Sequence, residues 1–211
     1  MKKKVIGLID SDSGNIGSIK KAILKSIVRK PYKLKIIRTK KDFINVDKII
    51  LPGQGAFATL INSLKKKKLY NELLKSITDL SLPYLGICVG MQILASYGHE
   101  NKKIRGMNII KGDIVKFSKK KLTIPHMGWN SISIKKENKV FKKKDLHLKD
   151  FYFVHSYYFK GVKKEDVTAT TNYSINYPSI ISKNNIYGVQ FHPEKSHKIG
   201  FKIINNFILK S

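Results

Sequence analysis

The residues best suited to covalent chemistry are Cys88, His192 and Glu194, and each sits in a patterned setting. Cys88 is the only cysteine and lies in Gly86-Ile87-Cys88-Val89-Gly90, with a glycine two residues away on either side. A Gly-x-nucleophile-x-Gly arrangement at a strand-to-helix junction is a nucleophile elbow, a sharp turn that lifts the reactive atom out of a sheet. The glycines are needed because a side chain at either position would meet neighbouring backbone. A sulfur at a helix N-terminus faces unpaired N–H groups and the positive end of the helix dipole, which favours thiolate over thiol. An arbitrary lone cysteine is more often a small buried hydrophobe. The glycine frame reverses that expectation.

A thiolate that attacks an acyl carbon needs a base that later returns its proton as an acid. Six histidines are present: His99, His126, His147, His155, His192 and His197. Only His192 has an orienting carboxylate in its own motif, Gln190-Phe191-His192-Pro193-Glu194-Lys195. Pro193 biases His192 towards extended backbone, and side chains at i and i+2 of an extended segment point the same way. Glu194 is therefore expected to fix the imidazole tautomer and to stabilise its protonated form. Acyl transfer also needs backbone N–H donors for the developing oxyanion. Val89 supplies one from the elbow, and the loop Pro52-Gly53-Gln54-Gly55 can supply a second.

The elements that hold these groups are legible in outline. Lys4 to Ile9 reads as a buried strand, Ile16 to Val28 as a helix with apolar residues at Ile16, Ile19, Ile23 and Ile27, and Leu34 to Ile37 as a second strand. Lys48 to Leu51 reads as a third strand. Helical pattern then runs to about Leu80, interrupted near Lys65–Lys68, and the elbow strand follows, leading into an amphipathic helix. Strands alternating with helices predict an α/β fold, a mostly parallel sheet with helices on both faces and the active site at the carboxyl ends of the strands. After Gly98 the segments shorten and are rich in β-formers: Asp113 to Phe117, Trp129 to Ile134, Phe151 to His155, Val167 to Asn172, Ser179 to Ser182 and Ile186 to Phe191. These are expected to be antiparallel additions to the sheet, with a closing helix from Gly200 to Leu209.

The 211 residues predict one domain, spanning 1–211. Neither a signal peptide nor an apolar run of membrane-spanning length is present, so the expected compartment is the cytosol, with no membrane partner. The formal charge of +28 invites a nucleic-acid reading. Against it, the lysines are scattered over nearly every segment, and the arginines, favoured for bidentate phosphate and base contacts, are only Arg29, Arg38 and Arg105. Abundant isoleucine and asparagine fit a coding bias instead. No specific nucleic-acid partner is expected.

Three stretches, Pro52-Gly53-Gln54-Gly55-Ala56-Phe57, Gly86-Ile87-Cys88-Val89-Gly90-Met91-Gln92 and Gln190-Phe191-His192-Pro193-Glu194-Lys195-Ser196, resemble the class I (triad) glutamine amidotransferases. Pro125-His126-Met127-Gly128-Trp129-Asn130 and Tyr152-Phe153-Val154-His155-Ser156-Tyr157-Tyr158 narrow the likeness to the glutaminase subunits of imidazole glycerol phosphate synthase. The resemblance runs from Val5 to about Leu209. It implies the flavodoxin-like amidotransferase fold and a Cys88–His192–Glu194 triad acting on L-glutamine, with an oxyanion hole at Val89 and the Gly53-Gln54 loop. It further implies substrate contacts from Gln92 and, chiefly through backbone, from His155, Ser156 and Tyr157. No metal and no cofactor are implied. The ammonia would pass to a separate (β/α)8-barrel cyclase subunit, forming a heterodimer for histidine biosynthesis. Trp129, as an aromatic anchor, and Lys195, as an ion-pair donor, are the expected interface residues. The family's Asp-Tyr-Gly-x-Gly-Asn near the N-terminus is here Asp10-Ser11-Asp12-Ser13-Gly14-Asn15, without the aromatic residue. Three other readings stay open at this level: a paralogous subunit supplying ammonia for sugar amidination, a cysteine hydrolase or peptidase on the same elbow, and a polyanion-binding protein with an incidental elbow.

Overall fold

Strand β1 (Lys4–Ile9) carries apolar residues at successive positions, as a strand covered on both faces must. It is the hub of the N-terminal half. Helix α1 (Ile16–Ile27) buries Ile19 and Ile23, one turn apart on one face, and returns the chain to β2 (Tyr32–Ile37). A 3-10 turn leads to β3 (Lys48–Gly53), and both β2 and β3 pair with β1 in parallel. Helix α2 (Phe57–Lys66) buries Phe57, Leu60, Ile61 and Leu64, the i, i+3, i+4, i+7 stripe of a helix laid on a sheet. It ends where Lys68 takes φ 58°, and α3 (Tyr70–Thr78) follows before β4 (Tyr84–Cys88), which is buried throughout. In this computed structural model residues 3–12, 16–118 and 122–211 are described. Ser13, Gly14 and Asn15 of the N-terminal motif, and the lysine run 119–121, lie outside the described residues.

The elbow helix departs from expectation. Helix α4 (Val89–Gln92) is a single turn and is buried at all four positions, so it is not amphipathic. A macrodipole is the sum of many aligned peptides, and one turn supplies little beyond its own free N–H groups.

The rest of the chain contributes β5 (Tyr97–Gly98), β6 (Ile104–Arg105), β7 (Asp113–Lys116), β8 (His126–Ser131), β9 (Ser133–Ile134), the short α5 (Lys143–Leu146), β10 (Asp150–His155), β11 (Tyr157–Lys160), β12 (Val167–Asn172), β13 (Asn176–Lys183), β14 (Ile186–Val189) and α6 (His197–Lys210). The main sheet has the order β2-β1-β3-β4-β14-β13-β12-β9. Its first five strands are parallel, and β13, β12 and β9 extend it antiparallel. Two expectations are corrected here. β14 joins β4 in parallel instead of adding to the antiparallel part. The strands around Trp129 and Phe151 form a separate two-stranded ribbon, β8–β10, while β11-β7-β5-β6 make a third sheet. Alternation of side chains reports that a segment is a strand and not which sheet it joins. Helix α6 packs on α1, and α2 packs on α3 and α4, so the sheet is covered on both faces. No helix among the described residues is long and apolar enough to cross a membrane.

Candidate functional site

The parallel strands β3, β4 and β14 end side by side, and their carboxyl ends carry Gly53, Cys88 and the segment leading to His192. Register places Gly53 opposite Cys88 and Val189 opposite Ile87. Cys88 has φ 53° and ψ −111°, the strained conformation of an elbow. Interlocked glycines make room for it. A Cβ on Gly86 would overlap the Gly90 carbonyl, one on Gly90 would overlap the Leu51 carbonyl oxygen, and one on Gly53 would come within 2.7 Å of the Gly90 nitrogen. The Tyr84 hydroxyl donates to the Gly90 carbonyl at 2.7 Å and fixes the turn from below.

His192 and Glu194 meet as the motif predicts: His192 Nδ1 lies 2.8 Å from Glu194 Oε1, with side chains only 2% and 3% exposed. The backbone around them is tied down. His192 N–H donates to the Tyr152 carbonyl at 2.9 Å, and the Ser196 hydroxyl donates to the His192 carbonyl at 2.7 Å. Burial alone would depress the His192 imidazole, but hydrogen bonds and charge from Cys88 and Glu194 outweigh it and raise the group to about 10. A proton held this firmly at neutral pH makes His192 an imidazolium facing the sulfur, its Nδ1–H donating a hydrogen bond to Glu194 Oε1.

These groups open into a cleft of about 440 Å³ lined by residues that include Gln54, Gly55, Cys88, Val89, Gln92 and His192. Val89, at the first position of α4, has an N–H with no partner one turn back, as every helix start does. Gly53 is set behind the lining, closing on Gly90, so of the two loop residues expected to serve the oxyanion it is Gln54 that borders the cleft. His155, Ser156 and Tyr157, expected to contact substrate chiefly through backbone, also line it. His155 Nδ1 donates to the Tyr157 carbonyl at 2.7 Å, and Ser156 offers its carbonyl to Phe117 N–H at 3.1 Å. Gln92 has its Nε2 hydrogens committed to the Tyr157 carbonyl (3.1 Å) and to Gln190 Oε1 (3.0 Å).

Two residues at the site, one on the cleft lining and one buried behind it, escaped the sequence reading. Glu100 borders the cleft, and its carboxylate accepts the Phe57 N–H at 2.9 Å at the start of α2. No spacing relates it to the triad. Gln190 is fully buried beside Cys88, and its position two residues before His192 on extended chain was the available signal. Behind the cleft, His126, His155 and Tyr177 form a buried cluster. Burial pushes His126 down to about 4 and His155 to about 3.

Of the two residues expected at a partner interface, Trp129 stands on the ribbon and Lys195 in the 3-10 turn Pro193–Lys195. Trp129 is 48% exposed, which excludes a core role, and it stacks on His197 at 5.0 Å. Tyr152 lies opposite it in register and carries Lys195 Nζ over its ring at 5.7 Å. Met127, two residues before Trp129, is 62% exposed.

Comparison with known proteins agrees with this geometry. The family model for glutamine amidotransferase class-I matches residues 11–211. The imidazole glycerol phosphate synthase subunit HisH of Methanocaldococcus jannaschii is 42% identical over 206 residues, covering 97% of this chain and 98% of that protein. The HisH subunit of Caldanaerobacter subterraneus is 42% identical over 204 residues, covering 96% and 97%. Among solved structures, PurLQS from Thermotoga maritima superposes with a TM-score of 0.71 at 15% identity, covering 98% of both chains, and so shares the fold. A glutamine amidotransferase from Thermotoga maritima does so with a TM-score of 0.62 at 17% identity, covering 92% of this chain and 77% of that one. The chain thus belongs to the class-I glutamine amidotransferase family, among the HisH subunits of imidazole glycerol phosphate synthase.

Proposed function

We propose that this chain hydrolyses L-glutamine to glutamate and ammonia and passes the ammonia to a (β/α)8-barrel cyclase subunit, which makes imidazole glycerol phosphate and aminoimidazole carboxamide ribotide in histidine biosynthesis. The observation that carries this reading is the strained, cleft-facing Cys88 set against a buried His192–Glu194 pair, in a chain whose near full-length relatives are named as HisH subunits. The Cys88 thiolate attacks the side-chain carboxamide carbon, and the oxyanion is received by the N–H groups of Val89 and Gln54. Gly53 gives that loop its close approach to the elbow. His192 gives its Nε2 proton to the departing ammonia, leaving a glutamyl thioester on Cys88. The neutral imidazole then takes a proton from water as the hydroxide adds to the thioester, and the sulfur leaves as thiolate with glutamate released. Glu194 holds one tautomer throughout.

Substrate recognition falls to the cleft walls. Glu100 is the carboxylate on the lining and suits the α-ammonium of glutamine, with the backbone of Ser156 and Tyr157 across the cleft. Trp129, Tyr152 and Lys195 form an aromatic and cationic face next to the active site, fitted to the cyclase. We place the reaction in the cytosol, where a reducing environment keeps a lone nucleophilic cysteine as thiol. The test is co-purification with the cyclase, followed by measurement of glutamate release from glutamine, with and without the cyclase ligand. Release that rises on ligand addition supports the reading, and absence of release from the native complex overturns it.

A further inference from the structure

Gln190 is a fully buried carboxamide to which the reaction above gives no task, although it follows directly on β14, whose last residue pairs with Ile87 next to Cys88. Its Nε2 lies 3.7 Å from Cys88 Sγ, within reach of an N–H···S hydrogen bond. We propose that Gln190 is a catalytic residue, donating its carboxamide N–H to the Cys88 sulfur in a direction fixed by Gln92.

The direction follows from the bonds around it. Gln92 Nε2 donates both to the Tyr157 carbonyl and to Gln190 Oε1. Because Gln190 Oε1 is the acceptor of that bond, its NH₂ must face the sulfur. The Tyr157 carbonyl is fixed in turn by His155 Nδ1. His155 therefore carries its proton on Nδ1 and accepts at Nε2, which faces the Tyr177 hydroxyl at 3.2 Å. His126 Nε2 accepts from Asn130 Nδ2 at 3.3 Å, since Asn130 Oδ1 is occupied by Ser131 N–H and Nδ2 also serves the Asn172 carbonyl. That leaves the His126 proton on Nδ1, facing Tyr177 at 3.1 Å and His155 at 3.3 Å. Every donor in this chain has an acceptor with one assignment of tautomers and amides. Such a network is rigid, and its last donor points at the nucleophile.

The sulfur needs a donor twice. As thiolate before attack it is a buried anion paired with His192, and an N–H aimed at it stabilises that charge. In thioester hydrolysis the C–S bond breaks and the electron pair returns to sulfur, which the same N–H receives. This role rests on Cys88 being the nucleophile. α4, a single turn, leaves this task to side-chain donors.

The experiment is the pH profile of Cys88 alkylation by iodoacetamide in the full chain, native against Gln190→Met and Gln190→Glu. Methionine keeps the volume and removes the donor. Glutamate keeps the shape, still accepts from Gln92, and sets a carboxylate against the sulfur. The expected result is an alkylation midpoint raised by about one pH unit in Gln190→Met and by more in Gln190→Glu. In the complex with the cyclase, kcat for glutamine should fall about tenfold with KM within about twofold of native. A midpoint unchanged in the folded variants overturns the proposal. Should Gln190→Met fail to fold, the midpoint of Gln190→Leu, which likewise lacks the donor and adds no charge, decides. The alkylation readout concerns the thiol only, so its failure is distinct from failure of the glutaminase reading, which the native complex reports through glutamate release.

Discussion

Replacing Gly90 with alanine isolates what the elbow demands of its surroundings. The new Cβ would overlap the carbonyl oxygen of Leu51 in β3, and it would lie 3.1 Å from the Leu51 carbonyl carbon and 3.4 Å from its Cγ. The segment has no direction in which to yield. Its own carbonyl is held by the Tyr84 hydroxyl at 2.7 Å and sits in the space left by the missing side chain of Gly86. Relief therefore requires β3 and β4 to separate at the Gly53–Cys88 end of their pairing. Overpacking a well-filled interior costs about 1–3 kcal/mol, and the immovable backbone places this site at the top, about 3 kcal/mol. Gly55→Ala is the control. It has φ +84° but no atom within 4 Å of its added Cβ, so only left-handed strain is incurred, about 1 kcal/mol. With an m-value of about 3 kcal/mol/M, urea midpoints should fall by about 1 M for Gly90→Ala and about 0.3 M for Gly55→Ala. Equal shifts in the two variants, or a Gly90→Ala protein as stable as native, would refute the close-approach account of the elbow.

Other outcomes follow from the same geometry. His126 and His155 are held neutral by burial, to about 4 and about 3, whereas the unfolded chain takes up those protons near 6.5. The unfolded state then binds more protons below 6.5, so stability is intact above that pH and falls as pH drops towards 4. The two together cost about 4 kcal/mol by pH 5, read as a lower urea midpoint at pH 5 than at pH 7, and equal midpoints would contradict it. His192, raised to about 10, acts in another window: its contribution is full below 6.5 and is lost as pH rises to about 10. Trp129→Ala, at a half-exposed position, should leave the melting temperature of the isolated chain nearly unchanged while weakening cyclase binding by about 10- to 100-fold in titration calorimetry. Unaltered binding would remove Trp129 from the interface.

Much of the site was legible because its constraints are local in sequence. The glycines around Cys88 announce a turn, and His192-Pro193-Glu194 announces two side chains facing one way; they meet at 2.8 Å, although Pro193–Lys195 forms a 3-10 turn and not the extended segment expected. The first four strands and their helices follow from unbroken apolar runs and the i, i+3, i+4 stripe of α2. What escaped depends on register and on neighbours distant in sequence. Gln190 finds Cys88 only because β14 pairs with β4 in parallel, and alternation within either strand does not reveal the partner. Glu100 reaches the cleft through its bond to Phe57 N–H, 43 residues away in the chain. The helix after Cys88 was expected to be amphipathic, but Val89 to Leu94 is buried throughout, Gln92 included, and burial on every side cannot be told from one-sided burial in so short a stretch. Trp129 was expected as an aromatic anchor on a surface, and its half-exposed place on a separate ribbon is a position that only the fold reveals.

The central claim is that Cys88 makes the ammonia that a partner consumes. Its most direct test is the Cys88→Ala protein in complex with the cyclase, assayed for cyclisation with glutamine and, separately, with added ammonium. The expected result is loss of glutamine-dependent turnover with ammonium-dependent turnover retained. Glutamine-dependent turnover that survives the substitution would contradict the account.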